Sequence, residues 1–163
     1  MKVAAIDVRQ RLQELGEGLR KSGVRLTHQR LEICREIASS NNHPDAETVH
    51  LGVRRRVPTV SLDTVYRTLW TLRDLGLIDT LGIPHARIRF DANTTQHHHF
   101  VCVKCGDVRD FHSDEFDRLK IPEEAAAYGT AGRTQVEIRG SCLSCLSKDR
   151  PRHHKHRQKE STK

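Results

Sequence analysis

The chain of 163 residues lacks long hydrophobic runs, and no apolar stretch approaches the ~20 residues that a membrane-spanning helix needs. Its first residues, Met-Lys-Val-Ala-Ala-Ile-Asp, contain no apolar signal run. Cysteine is scarce and odd in number, with five residues, which argues against the fully paired disulfide framework of a small secreted protein. These absences predict a cytoplasmic protein with reduced thiols and no membrane contact.

The net charge of +7 is unevenly distributed along the chain. Residues 1–90 carry 15 Lys and Arg against 10 Asp and Glu, residues 91–147 carry 6 against 9, and residues 148–163 carry 7 against 2. The first part, with a net charge of +5, is a candidate nucleic-acid surface, whereas the second part, with −3, favours cations. The last part is too polar to fold alone and is predicted to be a disordered, basic, His-rich tail.

Hydrophobic periodicity predicts four helices in the basic first part. Apolar residues recur at helical spacing between residues 7 and 22, Thr27 is a suitable N-cap for a second helix, and a third is predicted over about 45–56. Ser61 would cap the fourth helix. The three consecutive arginines at 54–56 are interpreted as a solvated helix end.

The third and fourth helices form the pattern of a helix-turn-helix, in which the second helix enters the major groove of DNA. Its outward face carries Thr64 and Arg67, with Tyr66 beside them. The short segments 77–81 and 86–90 follow and are predicted to form the hairpin of a wing. The first domain is therefore expected to be a winged helix-turn-helix that binds DNA.

A polar stretch without periodicity, residues 91–96, is predicted to be a hinge. The part after it mixes strand and helix patterns, so the fold class is α+β: an N-terminal winged helix-turn-helix domain and a small C-terminal α/β domain. The predicted units are the DNA-binding domain at 1–90, the hinge at 91–96, the α/β domain at 97–147 and the tail at 148–163. The α/β domain is expected to contain strands over 97–103, 107–111 and 134–140 and a helix over about 113–128, with Pro122 inside it.

Two Cys-x-x-Cys motifs, Cys102/Cys105 and Cys142/Cys145, are separated by 36 residues. Four thiolates in a tetrahedron suit a zinc ion without an open coordination position, and paired motifs of this kind are typical of structural zinc sites. A pair of disulfides is disfavoured by the reducing compartment, and a redox-active motif by the presence of two equivalent pairs. Cys34, the fifth cysteine, lies on the apolar face of a helix and is interpreted as a small buried hydrophobe.

Three consecutive histidines precede the first Cys-x-x-Cys motif on a predicted strand. Side chains alternate between the two faces of a strand, so His97 and His99 share one face and His98 points to the other. Imidazole and carboxylate together suit an exchangeable ion such as Fe²⁺, Mn²⁺ or Zn²⁺, although a histidine run is as often a solvated polar segment. Further candidate ligands from the pattern are His43 in a turn, Asp91 and Asp110.

Two other classes of protein fit the pattern less well. A metalloenzyme is disfavoured because the chain has no His-Glu-x-x-His or comparable catalytic signature. A zinc-stabilised RNA-binding module would depend on the basic tail at 148–163 rather than on Arg67.

A set of motifs resembles the ferric uptake regulator family, in order, over nearly all of residues 7–147. The motifs are Gly-Val-Arg-Leu-Thr-His-Gln-Arg at 23–30, His43-Pro44, Thr-Val-Tyr-Arg-Thr-Leu at 64–69, Arg89-Phe90-Asp91, the histidine run and both Cys-x-x-Cys motifs. The resemblance implies a homodimeric bacterial repressor rather than an enzyme. In the family a winged helix-turn-helix binds palindromic operator DNA, a hinge carries regulatory metal ligands, and an α/β domain dimerises around structural zinc.

Matched position by position, the resemblance implies two metal sites. Structural Zn²⁺ would be held by Cys102, Cys105, Cys142 and Cys145, and regulatory Fe²⁺ or Mn²⁺ by His43, Asp91, His97, His99 and Asp110. No histidine lies between His112 and His153, so an accessory metal site found in some iron regulators lacks one expected ligand.

The residue after the Arg-Phe pair is usually Glu in the iron and zinc sensors of the family and Asp in its peroxide sensors. With Asp91 at this position, the chain resembles the peroxide-sensing branch. This branch implies that Fe²⁺ reacts with hydrogen peroxide and that His43 or His97 is oxidised to 2-oxo-histidine, after which the metal and the DNA are released. Mn²⁺ in the same site would repress without sensing. The alternative is an iron- or zinc-homeostasis repressor of the same family without peroxide sensing.

DNA contacts are expected from the fourth helix and from the segment before the second. Thr64, Tyr66 and Arg67 are predicted to enter the major groove, and Arg25 to reach the backbone or minor groove. Arg67 is typical of iron regulators rather than of those peroxide sensors that carry Asn there, which leaves the operator preference open.

Overall fold

The computed structural model describes residues 7–40, 42–82, 87–130 and 132–149. The tip of the predicted wing, residues 83–86, and residues 150–163 of the predicted tail lie outside the described residues. Within the described ranges no helix is both long and apolar enough to span a membrane.

Helices precede strands along the chain, and the second half mixes the two, so the predicted α+β class is confirmed. The elements are α1 (Val8–Lys21), α2 (His28–Ser39), α3 (Ala46–Arg54), α4 (Leu62–Asp74), β1 (Asp79–Leu81), β2 (Arg89–Asp91), β3 (His98–Cys102), β4 (Val108–Phe111), α5 (Asp114–Asp117), α6 (Glu123–Ala126), β5 (Glu137–Gly140) and α7 (Leu143–Asp149).

The first four helices begin at side chains that cap their free backbone N–H groups. Asp45 accepts from the Thr48 N–H at 2.8 Å, and Ser61 accepts from the Thr64 N–H at 3.1 Å. Asp7 and Thr27 cap α1 and α2 in the same way. These caps explain why the helix starts can be predicted from the sequence.

The helical region, α1 to α4 with the hairpin β1–β2, has a core of its own. Seventeen buried residues pack in one cluster, and the side chains of Leu19, Ile33, Val53 and Leu69 are fully buried. Phe90 of β2 joins this cluster, so the hairpin is packed onto the helices. Burial of this much apolar surface is the main stabilising contribution to the region.

Arg56 is part of the packing of the helical region. Its Nε lies 2.5 Å from Glu32 Oε2 and its Nη2 lies 2.7 Å from Glu36 Oε2, although Arg56, like Arg54 and Arg55, is exposed. Glu32 is itself buried, so its carboxylate needs the positive charges of Arg56 and Arg35. All three arginines are exposed, as a solvated helix end requires, and Arg56 in addition pairs with two carboxylates of α2.

The sheet region, residues 97–149, is built on a three-stranded sheet in the order β4-β3-β5. Strand β4 is antiparallel to β3 and places Asp110 opposite His99, and β5 is parallel to β3. The second buried apolar cluster among the described residues contains only Leu81, Val101 and Val108. The sheet region therefore has little apolar core of its own.

One prediction about the sheet region is wrong, and one helix was not predicted. The helix expected over 113–128 is instead two four-residue helices, α5 and α6, because Pro122 has no N–H and disfavours helical backbone at the residue before it. A helix after the second Cys-x-x-Cys motif was not predicted, yet α7 includes residues 148 and 149, which had been assigned to the tail.

Candidate metal sites

The four cysteines of the two motifs converge at one end of the sheet. Their sulfur atoms all lie within 4.8 Å of one another, with 3.9 Å between Cys102 and Cys145 and 3.7 Å between Cys105 and Cys142. A tetrahedron with Zn–S bonds of about 2.3 Å has S···S edges of about 3.8 Å. The thiols are not paired as disulfides, so both the donor set and its size fit a structural zinc ion.

Backbone geometry prepares this cysteine site. The turn after Cys105 places Gly106 at φ 69°, a left-handed conformation that glycine adopts without strain, and its N–H donates to the Cys102 carbonyl at 2.8 Å. The Cys142 N–H points at the Cys102 sulfur from 3.3 Å. This N–H and that of Cys105 lower the pKa of Cys102 to about 6, whereas the neighbouring thiols raise the pKa of Cys145. One thiolate is thus favoured by the protein, and a zinc ion would ionise the others.

The second cluster gathers imidazole and carboxylate groups between the two regions. Donor atoms of His43, Asp91, His97 and His99 lie within 4.8 Å of one another, and all four residues are buried. Asp110 completes the set, with its Oδ1 at 2.8 Å from His43 Nε2 and 3.5 Å from His99 Nε2. The structure thus brings together all five residues of the predicted regulatory site.

The orientation of His97 is fixed by its backbone neighbour. Its Nδ1 lies 2.7 Å from the carbonyl oxygen of Thr95, which can only accept a hydrogen bond. Nδ1 therefore carries a proton, and Nε2 faces the cluster at 2.9 Å from both Asp91 Oδ2 and His99 Nε2. Such a second hydrogen bond is the usual way in which a histidine ligand is oriented toward a metal.

The carboxylates and imidazoles of the cluster shift one another's pKa, because their charges are opposite. Burial alone would raise the pKa of Asp91, but hydrogen bonds from His97 and His99 outweigh it and hold this pKa well below its usual range. Burial would likewise lower the pKa of His97, but its bonds to Asp91 and to the Thr95 carbonyl raise it. The carboxylates are thus ionised, and a cation is the charge that this cluster stabilises.

Whether a metal fits this cluster can be tested by asking whether its buried polar atoms already have hydrogen-bond partners. Asp110 Oδ1 has no hydrogen-bond partner among the described residues, although His43 Nε2 is only 2.8 Å away. An unpartnered buried carboxylate oxygen is costly, and a cation held among these donors would satisfy it. Three imidazoles and two carboxylates form a donor set suited to Fe²⁺, Mn²⁺ or Zn²⁺.

His98 does not take part in this cluster. Its side chain is fully buried on the other face of β3, with Nε2 at 3.2 Å from Asp117 Oδ1 and its ring against Phe111 and Phe116. Its Nδ1 accepts from the Val136 N–H at 3.2 Å. The alternation predicted for the three histidines is therefore what the strand shows.

His43 reaches the cluster from a strained turn of the helical region. Its φ is 45°, which is unusual for a residue other than glycine, and its carbonyl accepts from Arg89 Nη1 at 3.2 Å. The next carbonyl, of Pro44, accepts from the Phe90 N–H at 3.0 Å. The turn that carries this histidine is thus fastened to β2, the strand that ends in Asp91.

The predicted DNA contacts lie on or near α4. Arg67 has a side chain that is 79% exposed and lies 3.6 Å from Asp63. The Tyr66 hydroxyl donates to Glu47 at 3.3 Å, and the Thr64 hydroxyl shares a hydrogen bond with Ser61 in the helix cap. Arg25, before α2, is exposed. Arg67 and Arg25 are therefore the exposed members of this set, and Thr64 and Tyr66 are partly buried.

One residue beside the second cluster was missed from the sequence. Arg133 lies in the segment before β5 and contacts His97 and the Thr95 carbonyl. It is 36 residues from His97, in a stretch without a recognisable motif. The sequence contained no signal that would have brought it to the site.

A helix-turn-helix followed by a hairpin, with a four-cysteine site and a His/Asp cluster beyond it, defines the class of metal-responsive transcriptional regulators. Residues 21–136 match the Ferric uptake regulator family. A Peroxide-responsive repressor PerR of Staphylococcus epidermidis is 34% identical over 134 residues, which make up 82% of this chain and 89% of that protein. The chain belongs to the ferric uptake regulator family.

Solved structures agree with this assignment. The Helicobacter pylori ferric uptake regulator Fur has the same fold, with a TM-score of 0.70 at 21% identity, over 90% of this chain and 97% of that one. The ferric uptake regulator of Pseudomonas aeruginosa, solved with manganese, gives a TM-score of 0.64 at 27% identity over 78% of this chain and 96% of that one. Members of this family are dimeric, DNA-binding transcriptional regulators, so the expectation of a metal-responsive repressor rather than an enzyme is confirmed.

Proposed function

We propose that this protein is a peroxide-responsive repressor that binds palindromic operator DNA as a homodimer when its His/Asp cluster holds Fe²⁺ or Mn²⁺. The observation that carries the proposal is the origin of the five donors. His43 comes from the helical region, Asp91 ends β2, and the other three come from the sheet region. A metal held by all five fastens the DNA-binding helices to the dimerising part of the chain.

The two metal sites then have different tasks. The cysteine site is closed, with four sulfur donors at zinc-like separations, and holds Zn²⁺ as a permanent part of the sheet region. The His/Asp cluster has harder donors and binds Fe²⁺ or Mn²⁺ reversibly. Only the second site changes its occupancy with conditions in the cytoplasm.

Peroxide sensing is supported by two features of the chain. The Staphylococcus epidermidis relative at 34% identity is named a peroxide-responsive repressor. Asp91, with its shorter side chain, occupies the ligand position where iron and zinc sensors of the family usually carry Glu. Fe²⁺ bound there supplies the one-electron chemistry that reduces peroxide beside the imidazole rings. His43 and His97 are the rings proposed to gain oxygen, which removes a ligand and releases the helical region from its fixed orientation.

Dimerisation is supported by the apolar residues that the sheet region leaves exposed. Strand β5 is an edge strand with one unpaired side, and Ile138 on it is 40% exposed. Exposed large apolar side chains concentrated in one part of a chain are typical of a surface that binds a partner. The exposed large apolar side chains of this region are Val103, Leu119, Ile121, Tyr128, Ile138, Leu143 and Leu146.

DNA binding is proposed to rest on Arg67, Tyr66 and Thr64 in the major groove, with Arg25 on the backbone. Arg67 is proposed to contact a base edge, because its exposed guanidinium offers several donors; Asp63 lies 3.6 Å from it. Arg67→Ala is expected to reduce operator affinity by about 1–3 kcal/mol and to relax preference at one position of each half-site. An unchanged preference in a selection from random duplexes would contradict this role.

The experiment that tests peroxide sensing uses protein purified and loaded with Fe²⁺ under anaerobic conditions, then exposed to peroxide. Operator binding is expected to be lost, together with a mass gain of one oxygen atom on a peptide that contains His43 or His97. The manganese-loaded protein is the control and should keep both its mass and its DNA. If the iron form keeps both its original mass and its operator DNA after peroxide, the chain is an iron- or zinc-homeostasis repressor of the same family.

A further inference from the structure

We propose that Arg133 is a positioning residue that couples the His/Asp cluster to the wing strand β1, through Thr95 and His97 on one side and Asp79 on the other. This inference rests on the proposed function, because it concerns how metal in that cluster acts on the DNA-binding part. It adds a contact between the two regions that does not pass through the metal.

The guanidinium of Arg133 lies between the two regions. Its Nη2 is 3.3 Å from the Thr95 carbonyl oxygen and 3.4 Å from His97 Nδ1, and its Nη1 is 3.7 Å from Asp79 Oδ2. The side chain is 28% exposed, so it is largely enclosed by these groups. Arginine is a suitable residue for this position because its planar group offers several donors in a fixed geometry.

The contact with His97 supports a single state of that ring. Since Nδ1 of His97 already donates to the Thr95 carbonyl at 2.7 Å, the guanidinium is a second donor that converges on the same oxygen. Both donors hold the carbonyl in place, and the ring keeps its Nε2 directed into the cluster. Arg133 thereby fixes a metal ligand without touching the metal.

The segment around Arg133 is anchored to the sheet region. The Thr134 carbonyl accepts from Gln96 Nε2 at 2.7 Å, and Gln135 Nε2 donates to the His97 carbonyl at 3.3 Å. These bonds leave the guanidinium of Arg133 as the part of the segment that reaches outward to the hairpin. Any movement of the hairpin away from the sheet region must therefore break its contact with Asp79.

Asp79 is placed so that this contact matters for the cluster. It is the first residue of β1 and pairs directly opposite Asp91 of β2 in the antiparallel register. Arg133 thus contacts the hairpin at the residue that is paired with the ligand Asp91. A contact made only in the closed arrangement favours that arrangement with or without metal, so it raises the DNA affinity of the metal-free protein and limits how much the metal can add.

The size of the effect is bounded by the exposure of the partners. Asp79 is 49% exposed, so the ion pair is partly screened by water and contributes a modest amount. We expect severalfold changes in coupling rather than its loss. The metal remains the stronger of the two connections.

The experiment measures the affinity of the zinc-containing dimer for a duplex selected by the manganese-loaded wild-type protein, with and without saturating Mn²⁺. The ratio of the two affinities is the coupling. Arg133→Ala is expected to raise this ratio about fivefold and Asp79→Asn about threefold, because the metal-free protein loses DNA affinity while the manganese-loaded protein largely keeps it. The double variant should change the ratio no more than Arg133→Ala alone. Arg133→Lys should return the ratio only part of the way to the wild-type value, because an ammonium cannot reach both the Thr95 carbonyl and Asp79.

Arg139→Ala is the matched control, since this arginine pairs with Glu137 within β5 and should leave the ratio unchanged. An unchanged ratio in Arg133→Ala, or changes that multiply in the double variant, would overturn the inference while leaving the proposed function intact. Should Arg133→Ala fail to fold, Asp79→Asn and the lysine variant still decide. Absence of any manganese effect in the wild type would overturn the proposed function and this coupling with it.

Discussion

The helical region and the sheet region are stabilised in different ways. The first buries seventeen residues in one apolar cluster, whereas the separate cluster of the second contains three, one of them contributed by β1. Among the described residues, seven of the eleven exposed large apolar side chains lie between Val103 and Leu146. The sheet region therefore depends on zinc and on a second chain for what the helical region obtains from its own core.

This difference explains why a metal can act as a switch between the regions. The helical region keeps its fold when it moves, because its core does not involve the metal ligands of the sheet. The His/Asp cluster lies at the junction, where ligands from both sides meet. In the proposed function, losing its ion is therefore expected to change the relative orientation of two folded parts rather than to unfold either of them.

The largest expected effect comes from removing zinc with Cys142→Ser. The sheet region should unfold and the dimer dissociate, because structural zinc supplies on the order of 10 kcal/mol in small domains that depend on it. Hydrogen exchange should show lost protection in β3 to β5 and retained protection in α1 to α4. Cys34→Ala is the control, since Cys34 lies fully buried in the helical core away from the zinc. Retained protection in the sheet of the zinc-free variant would contradict the comparison.

The next largest effect is expected from His99→Ala in the His/Asp cluster. Affinity for Mn²⁺ should fall by more than about 100-fold, and metal-dependent DNA binding should be lost while zinc and the dimer remain. His98→Gln is the neighbouring control, because His98 faces Asp117 on the other side of β3. Isothermal titration with Mn²⁺ measures both variants. Equal losses in the two would show that strand alternation does not separate ligand from non-ligand.

A smaller effect is expected from a charge on the exposed apolar surface of the sheet region. Ile138→Glu should weaken the dimer by about tenfold or more, because a carboxylate buried at the interface loses its hydration. Leu51→Glu is the control, at a residue that is 61% exposed on α3. Sedimentation of each variant over a range of concentrations measures the dissociation. A dimer that resists Ile138→Glu but not Leu51→Glu would place the interface on the helical region.

The smallest effect is expected within the helical core. Arg56→Ala should lower the free energy of unfolding by about 1 kcal/mol, because it leaves the buried carboxylate of Glu32 with Arg35 alone. Arg54→Ala should change it by less than about 0.5 kcal/mol, as is usual for exposed residues. Denaturant unfolding compares the two. Equal values would return all three arginines to the role of a solvated helix end.

Much of the helical region could be predicted because its signals are local. Caps such as Thr27 and Ser61 and the spacing of Leu69 and Leu72 act within a few residues of one another. The sheet region was predicted less well. Pro122 divides a segment whose composition otherwise favours helix, and α7 begins in a stretch whose charged end resembles a tail.

The candidate site shows the same division. The alternation of His97 and His99 is a property of one strand and could be predicted from it. That His43 and Asp110 meet at 2.8 Å depends on how the turn before α3 packs against β4, which no local pattern encodes. The sequence pattern offered these two residues as candidates, and the family resemblance assigned them as ligands. Arg133 had neither a local pattern nor a family motif to mark it, so only the structure reveals it.

The central claim is that one metal site holds the fold and the other regulates it, and metal analysis after mild chelation tests it most directly. Protein loaded with Mn²⁺ and then dialysed against a chelator is expected to keep one zinc per chain and its dimer, to lose manganese and operator binding together, and to regain DNA binding when Mn²⁺ is returned. Loss of zinc in parallel with manganese, or operator binding that persists without manganese, would contradict the account.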